Sequence, residues 1–191
     1  MEQHFHYKLY KPAGYLSQFI NNQTKRKNKK LLGKLYDFHP ETMAIGRLDE
    51  NSEGLLLLTT NGKISYKITN TGVEKEYYVQ LDGAITKDAI TKLQQGVAIS
   101  IYGKLYSTKP CDVKRIDTPH LPKPQRPVKP SGNNKTSWIS IILTEGKFRQ
   151  VRKMTSTVGF PTLRLVRVRV GKETVQNMTT GEVVEKERFL L

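Results

Sequence analysis

The chain has 191 residues, with 32 Lys and Arg against 17 Asp and Glu, and a formal net charge of +15. Hydrophobic residues make up 37%, and no apolar run reaches the roughly 18–20 residues of a membrane helix, so collagen-like and membrane-spanning classes are excluded. One cysteine, Cys111, rules out an internal disulfide, and four scattered histidines offer no metal-ligand spacing.

Residues Met1 to Lys11 carry two His and two Lys and lack the apolar core of an export signal, so a cytoplasmic location is expected. The charge is clustered. Windows 21–36, 109–135 and 145–172 hold 21 basic and 3 acidic residues, a net +18, which leaves the rest of the chain at −3. Such clustering on a balanced body is the footprint of a nucleic-acid partner, because neutralised phosphates release their counterions. Adhesion alone, as in a ribosomal or chromatin-like protein, is the simpler alternative.

In chain order, Phe5–Tyr10 reads as a short strand ending at Pro12 and Gly14. Asn21–Lys30 reads as an exposed basic loop, with Leu31, Leu32 and Leu35 opening a short helix. Met43–Ile45 and Leu55–Thr59 are expected to be buried strands flanking a loop, Gly46 to Gly54, and Asn61-Gly62 reads as a turn. Lys75–Leu81 is a predicted strand. Thr86 is placed to cap a helix through Gln95, with Ala89, Ile90 and Leu93 on one face and Gly96 as its stop. One or two strands around Tyr102-Gly103 should follow within Val97–Val113. Five of the nine prolines fall within 118–135, which predicts a long loop. A strand over Ser137–Leu143, a helix over Lys147–Val158 and a strand over Thr162–Val170 complete an irregular alternation that predicts an α+β fold.

In the Lys147 helix, Phe148, Val151, Thr155 and Val158 share one face and are expected to be buried. Arg149, Arg152, Lys153 and Ser156 share the other, which has no acid after Glu145 and could meet phosphate or a carboxylate. In the following strand the apolar alternation slips at Leu165-Val166. Arg164 therefore falls on one face and Arg167 and Arg169 on the other, through a bulge or through passage from one lobe's core to another's. His120, Lys123, Arg126 and Lys129 recur every three residues. A polyproline II helix would set them in one row at roughly 9 Å intervals, and a disordered basic linker is the competing reading. Trp138 is read as a packing residue and Cys111 as an incidental thiol.

Phosphate-binding glycine loops, the zinc-protease helix signature and a nucleophilic triad are all missing. The residues that stand out are Gly46-Arg47-Leu48-Asp49, followed by Ser52-Glu53-Gly54 and Leu55-Leu56-Leu57-Leu58-Thr59. Spacing alone would favour a structural aspartate at position 49. The segment, however, resembles the catalytic motif of RsuA-type pseudouridine synthases. Lys75-Glu76-Tyr77, the run Glu145 to Met154, and the closing Val158 to Leu165 resemble further motifs of that family in the same order, and Lys11-Pro12 matches its opening.

The resemblance implies a pseudouridine synthase fold, a bilobal mixed or antiparallel sheet with flanking helices and a central cleft, as a single catalytic domain over residues 1–191. It implies that Asp49 attacks a target uridine, with Arg152 as its ion-pair partner and with Tyr77 stacking on the uracil and serving in proton removal from C5. Whether attack is on base or sugar stays open. Arg47 is expected to occupy the space of the flipped base or hold the flipped nucleotide, an extrusion that favours an already exposed uridine. Lys123, Arg126, Lys129, Lys147, Arg149 and Lys153 are expected to bind RNA, and no metal or other cofactor is implied. The start near Phe5 leaves no room for the S4 RNA-binding domain that opens many members. This is similar to the short group acting on large-subunit rRNA, so a 23S rRNA target and a monomer are expected, with loops 21–36 and 118–135 as substitute RNA grips. A 16S rRNA or tRNA target, or a non-catalytic ribosome-assembly role, is the alternative.

Overall fold

In the computed structural model, which describes residues 3–21, 28–132 and 135–190, the leucine run Leu55–Leu58 is buried along its whole length. A strand buried on both faces needs apolar side chains on both, hence a run in place of alternation. This strand, β3 (Glu53–Thr59), is preceded in the chain by β1 (His6–Lys11) and the two-residue β2 (Met43–Ala44). β1 pairs antiparallel with it in the register Tyr7↔Leu58 and Leu9↔Leu56, and β2 pairs with its end at Met43↔Thr59. Tyr7, Leu9, Leu32, Leu56 and Leu58 form a buried cluster covered by Phe19, Leu35 and Phe38. Leu32 enters it from a single 3-10 turn, Leu32–Lys34, at the point where a short helix was expected.

The chain divides into two compact units, Met1–Val73 with Arg167–Leu191, and Glu74–Val166. Helix α1 (Gly62–Asn70) belongs to the first. The Asn61 side chain accepts hydrogen bonds from the N–H groups of Lys63 and Ile64, so Asn61-Gly62 starts a helix where a turn was expected.

The second unit is built on β4 (Lys75–Asp82), α2 (Lys87–Gln95), the hairpin β5 (Ala98–Ile101) and β6 (Lys104–Ser107), β7 (Asp112–Ile116), β8 (Thr136–Leu143) and α3 (Gln150–Thr157). β8 is central and buried, with antiparallel neighbours on both edges; Ile141 lies opposite Tyr77 of β4 and Val113 of β7. Trp138 is buried in this strand, as a packing residue should be. Thr86 caps α2 and Gly96 ends it, as the sequence predicts. At Gly96, φ is +90° and a Cβ would lie 2.3 Å from the Thr108 carbonyl oxygen, so only glycine fits.

β9 (Thr162–Val170) passes from the second unit to the first between Val166 and Arg167. The slipped alternation at Leu165-Val166 lies beside this boundary, and Arg164 to Val168 are all buried. Arg164 donates to the Pro122 carbonyl, whereas Arg167 donates to the Leu55 carbonyl in the first unit. β10 (Glu173–Thr174) pairs with the end of β9, and β11 (Val183–Lys186) pairs with β1; neither strand was expected from the sequence.

Two further expectations need correction. α3 begins three residues later than predicted because Arg149 takes a left-handed backbone, φ 53°, which cannot continue a right-handed helix. Its buried face is Gln150, Val151, Met154 and Thr155, and Phe148 is left 50% exposed. In the Pro-rich segment His120, Lys123, Arg126 and Lys129 are all exposed, but a bend at Gln125-Arg126 breaks the straight row. Hydrogen bonds hold this segment at Pro122, through Arg164, and at Ser131, whose N–H and hydroxyl donate to Asp82. Of the basic loop 21–36, residues 22–27 lie outside the described residues. No described helix is long and apolar enough to cross a membrane.

Candidate active site

In the first unit, the Gly46 to Gly54 loop hangs between β2 and β3, and three contacts hold it on either side of Asp49. The Ser17 hydroxyl donates to the Leu48 carbonyl and accepts from the Leu48 N–H, at 2.9 and 3.0 Å. The Gly14 N–H donates to the Glu50 carbonyl at 2.7 Å, and the Ser52 N–H closes a turn on the Asp49 carbonyl at 3.0 Å. Leu48 is buried, Asp49 half-buried and Arg47 exposed, so the backbone is locked on either side of the aspartate.

Beneath the loop lies Lys11, 0% exposed. Its ammonium donates to the carbonyls of Pro12, Tyr15 and Glu50 at 2.8, 2.8 and 3.3 Å, three acceptors for three N–H groups. Burial pushes its pKa down to about 7. The carboxylates of Glu53, Asp49 and Glu50 oppose that fall, and Arg167 adds to it. The Lys11 charge therefore sits in the electrostatic field of Asp49. Glu50 is also gripped on the outside by Lys29, at 2.7 Å.

In the second unit, Tyr77 lies on β4 and is 9% exposed. Arg152 projects from the first turn of α3, half-buried, with its guanidinium 3.5 Å from the Thr162 carbonyl. The loop before α3 is organised by Glu145. Its carboxylate accepts from the Tyr106 hydroxyl at 2.5 Å, the Lys109 N–H at 3.0 Å and the Gln150 amide at 2.6 Å. Gln150 in turn accepts from the Lys147 N–H at 2.9 Å. Burial pushes the Glu145 pKa up, but these hydrogen bonds and the Lys147 charge outweigh it and leave the pKa lowered. The motif spacing from Glu145 to Gln150 thus closes a loop that sets the start of the basic helix.

α3 packs on β5, and between them is a hollow of about 380 Å³. Arg149, Arg152 and Lys153 line it, with Ser100, Ser156 and Thr157 and no acidic residue. Cations and hydroxyl donors without carboxylates suit an anion such as a phosphate. Cys111 donates its thiol proton to the Leu93 carbonyl and burial pushes its pKa up to about 11, so it is no nucleophile.

With the Asp49 loop, Tyr77 and the Arg152 helix in their expected elements, the decisive comparison is with whole families. The profile described as RNA pseudouridylate synthase matches residues 6–157. The chain belongs to that family.

Among similar proteins, the Vibrio vulnificus (strain CMCP6) protein named ribosomal large subunit pseudouridine synthase E is 39% identical over 176 residues, 90% of this chain and 70% of that one. A protein of the same name from Xanthomonas campestris pv. campestris is 37% identical over 177 residues, 91% of each chain. A crystal structure of a pseudouridylate synthase superposes with a TM-score of 0.75 at 22% identity, over 97% of this chain and 71% of that one, so the two share a fold. The α+β pseudouridine synthase fold expected from the motifs is the fold found.

The structure also buries, in the unit that carries the Asp49 loop, three polar residues that the motifs did not mark as functional. Lys11 was visible only as part of Lys11-Pro12. Ser17 gave no signal, since a lone serine far from the catalytic motif is unremarkable until its partner is known. Arg167, 3% exposed with its Nε 2.7 Å from the Leu55 carbonyl, was read only as one residue of a basic strand.

Proposed function

We propose that this synthase isomerises a specific uridine of 23S ribosomal RNA, with Asp49 as the nucleophile. The observation that supports Asp49 most is the way its neighbours are fixed. Ser17 holds Leu48, while Gly14 and Lys11 hold Glu50, leaving the carboxylate on a rigid stem. A nucleophile held in this way reaches the reacting atom without an entropic search.

A carboxylate can attack an electrophilic carbon of the bound nucleotide, of base or sugar. The N1–C1′ bond breaks, uracil turns and C5 bonds to C1′; the C5 proton departs, N1 takes up a proton in its place, and the bond to Asp49 breaks. Atoms and oxidation state are conserved overall, so the reaction needs no cofactor. The roles assigned to Arg152 and Tyr77 are those the family motifs imply: Arg152 as the cationic partner of the nucleophile, and Tyr77 as the ring that stacks on the uracil and assists removal of the C5 proton. Arg47, exposed beside Asp49, enters the space the base vacates or holds the flipped nucleotide. Lys147, Arg149 and Lys153, with Lys123, Arg126 and Lys129 of the Pro-rich loop, hold the RNA backbone.

The large-subunit target is supported by the two relatives that carry that name. We read the chain as a single catalytic domain acting as a cytoplasmic monomer on structured RNA with an exposed uridine. The test is tritium release from 5-labelled uridine in rRNA transcripts, followed by mapping of the modified position. The reading expects release from 23S rRNA and none from Asp49→Asn, with thermal stability kept. Release confined to 16S rRNA or tRNA would remove the target and keep the chemistry. Turnover by Asp49→Asn at the wild-type rate would remove the nucleophile.

A further inference from the structure

The β5–β6 hairpin turns on Tyr102-Gly103, with φ of +50° and +80°. Two residues of positive φ make the turn that Asn-Gly serves best, and a bulky side chain at its first position is disfavoured. Tyr102 is nevertheless there, 81% exposed. Its ring stacks on Phe148, with centroids 5.4 Å apart and planes 19° from parallel. Phe148 is itself half exposed, because the left-handed Arg149 behind it keeps it off the buried face of α3. The Lys153 ammonium lies 5.1 Å from the Phe148 centroid and donates to the Ser100 carbonyl of β5 at 2.5 Å. Lys153 and Ser100 also line the cationic hollow described above.

Neither ring is needed to fill the core, and the turn would be better served by another residue. What the pair offers is an exposed π face beside an acid-free cluster of Arg and Lys. Aromatic faces interleaved with cations are the chemistry that binds unpaired nucleotides: bases stack on the rings and phosphates meet the charges. We propose that Tyr102 and Phe148 form a stacking platform for one unpaired nucleobase of the RNA, whose phosphate is held by Arg149 and Lys153. This rests on the reading of the chain as an enzyme acting on RNA and adds a subsite outside the catalytic residues. The subsite requires its RNA to present a single-stranded nucleotide to the β5–β6 hairpin.

The experiment measures binding of the full chain to a short single-stranded RNA and to a fully paired duplex of the same sequence, over a salt series. Tyr102→Asn removes the ring while suiting the left-handed backbone, so the fold should hold, as a thermal melt would check; Tyr102→Phe keeps the ring. Tyr102→Asn should bind the single strand roughly ten-fold more weakly. Its duplex affinity should not change, nor should its slope of log K against log salt, since stacking releases no counterions. Tyr102→Phe should bind as wild type.

Wild-type affinity in Tyr102→Asn, an equal loss on duplex, or a loss in Tyr102→Phe as large as in Tyr102→Asn would overturn the platform. The same Tyr102 dependence toward polyglutamate would overturn it in favour of an acidic protein partner. A wild-type chain that binds single strands through Tyr102 but releases no tritium from 23S rRNA would retain the platform and remove the target. A chain that is active but indifferent to Tyr102→Asn would do the reverse.

Discussion

The Ser17 hydroxyl satisfies both backbone polar groups of Leu48, donating to its carbonyl and accepting from its N–H. Both residues are buried, so neither backbone group has water as a substitute. Ser17→Ala should therefore cost about 2 kcal/mol in urea unfolding, the penalty of leaving buried polar groups unpaired. It should also lower kcat roughly ten-fold or more through loosened positioning of Asp49. Unchanged kcat in a variant of normal stability would show that the clasp does not position the nucleophile.

Lys11 makes stability depend on pH in a direction opposite to that of a surface lysine in an ion pair. Its ammonium titrates at about 7 in the folded chain against an ordinary 10.5, so between these values the unfolded chain holds more protons. Stability from this group therefore rises with pH across that window, and below about pH 7 the cost of the buried charge is present in full. The unfolding free energy of wild type minus that of Lys11→Met should climb from pH 7 towards pH 10. A flat difference would contradict the burial argument.

Glu145 behaves in the opposite sense. Its folded pKa lies below the ordinary 4.5, so its contribution is present above that value and is lost as pH falls through the folded pKa. Glu145→Gln should loosen the Tyr106, Lys109 and Gln150 contacts and lower the melting temperature at neutral pH. The gap to wild type should narrow in mildly acidic buffer. A gap that stays constant from neutral pH to below pH 4 would show that the carboxylate charge is not what holds the loop.

The Pro-rich loop offers a test by salt. Lys123, Arg126 and Lys129 are exposed on a segment held at Pro122 and Ser131. Replacing all three with Ser should weaken RNA binding and reduce the slope of log K against log salt by about 2–3. An unchanged slope would mean that the three side chains meet no phosphate.

Much of the fold was legible because it is written in contiguous residues. The Leu55–Leu58 run, the alternating Tyr77, Val79 and Leu81, and the Thr86 cap with its Gly96 stop each appear where local chemistry predicts. Asn61-Gly62 was misread because a helix cap and a turn use the same residues, and only the hydrogen bonds from Lys63 and Ile64 separate them. β11 left no sequence signal since it is four residues long, with no buried side chain, and owes its form to the edge of β1.

By itself the sequence determined the order of the motifs, and with it the family, the general course of the strands and the concentration of charge that points to RNA. Tertiary structure alone decided that Lys11 is buried under the Asp49 loop, that Ser17 clasps Leu48, that Arg149 turns left-handed and that Phe148 consequently meets Tyr102 in the open. The physical reason is range. Periodicity, caps and turn residues act between neighbours in the chain, whereas the burial of an ammonium or the satisfaction of a backbone pair depends on groups that only folding brings together, as it brings Glu50 to Lys11 and Leu48 to Ser17.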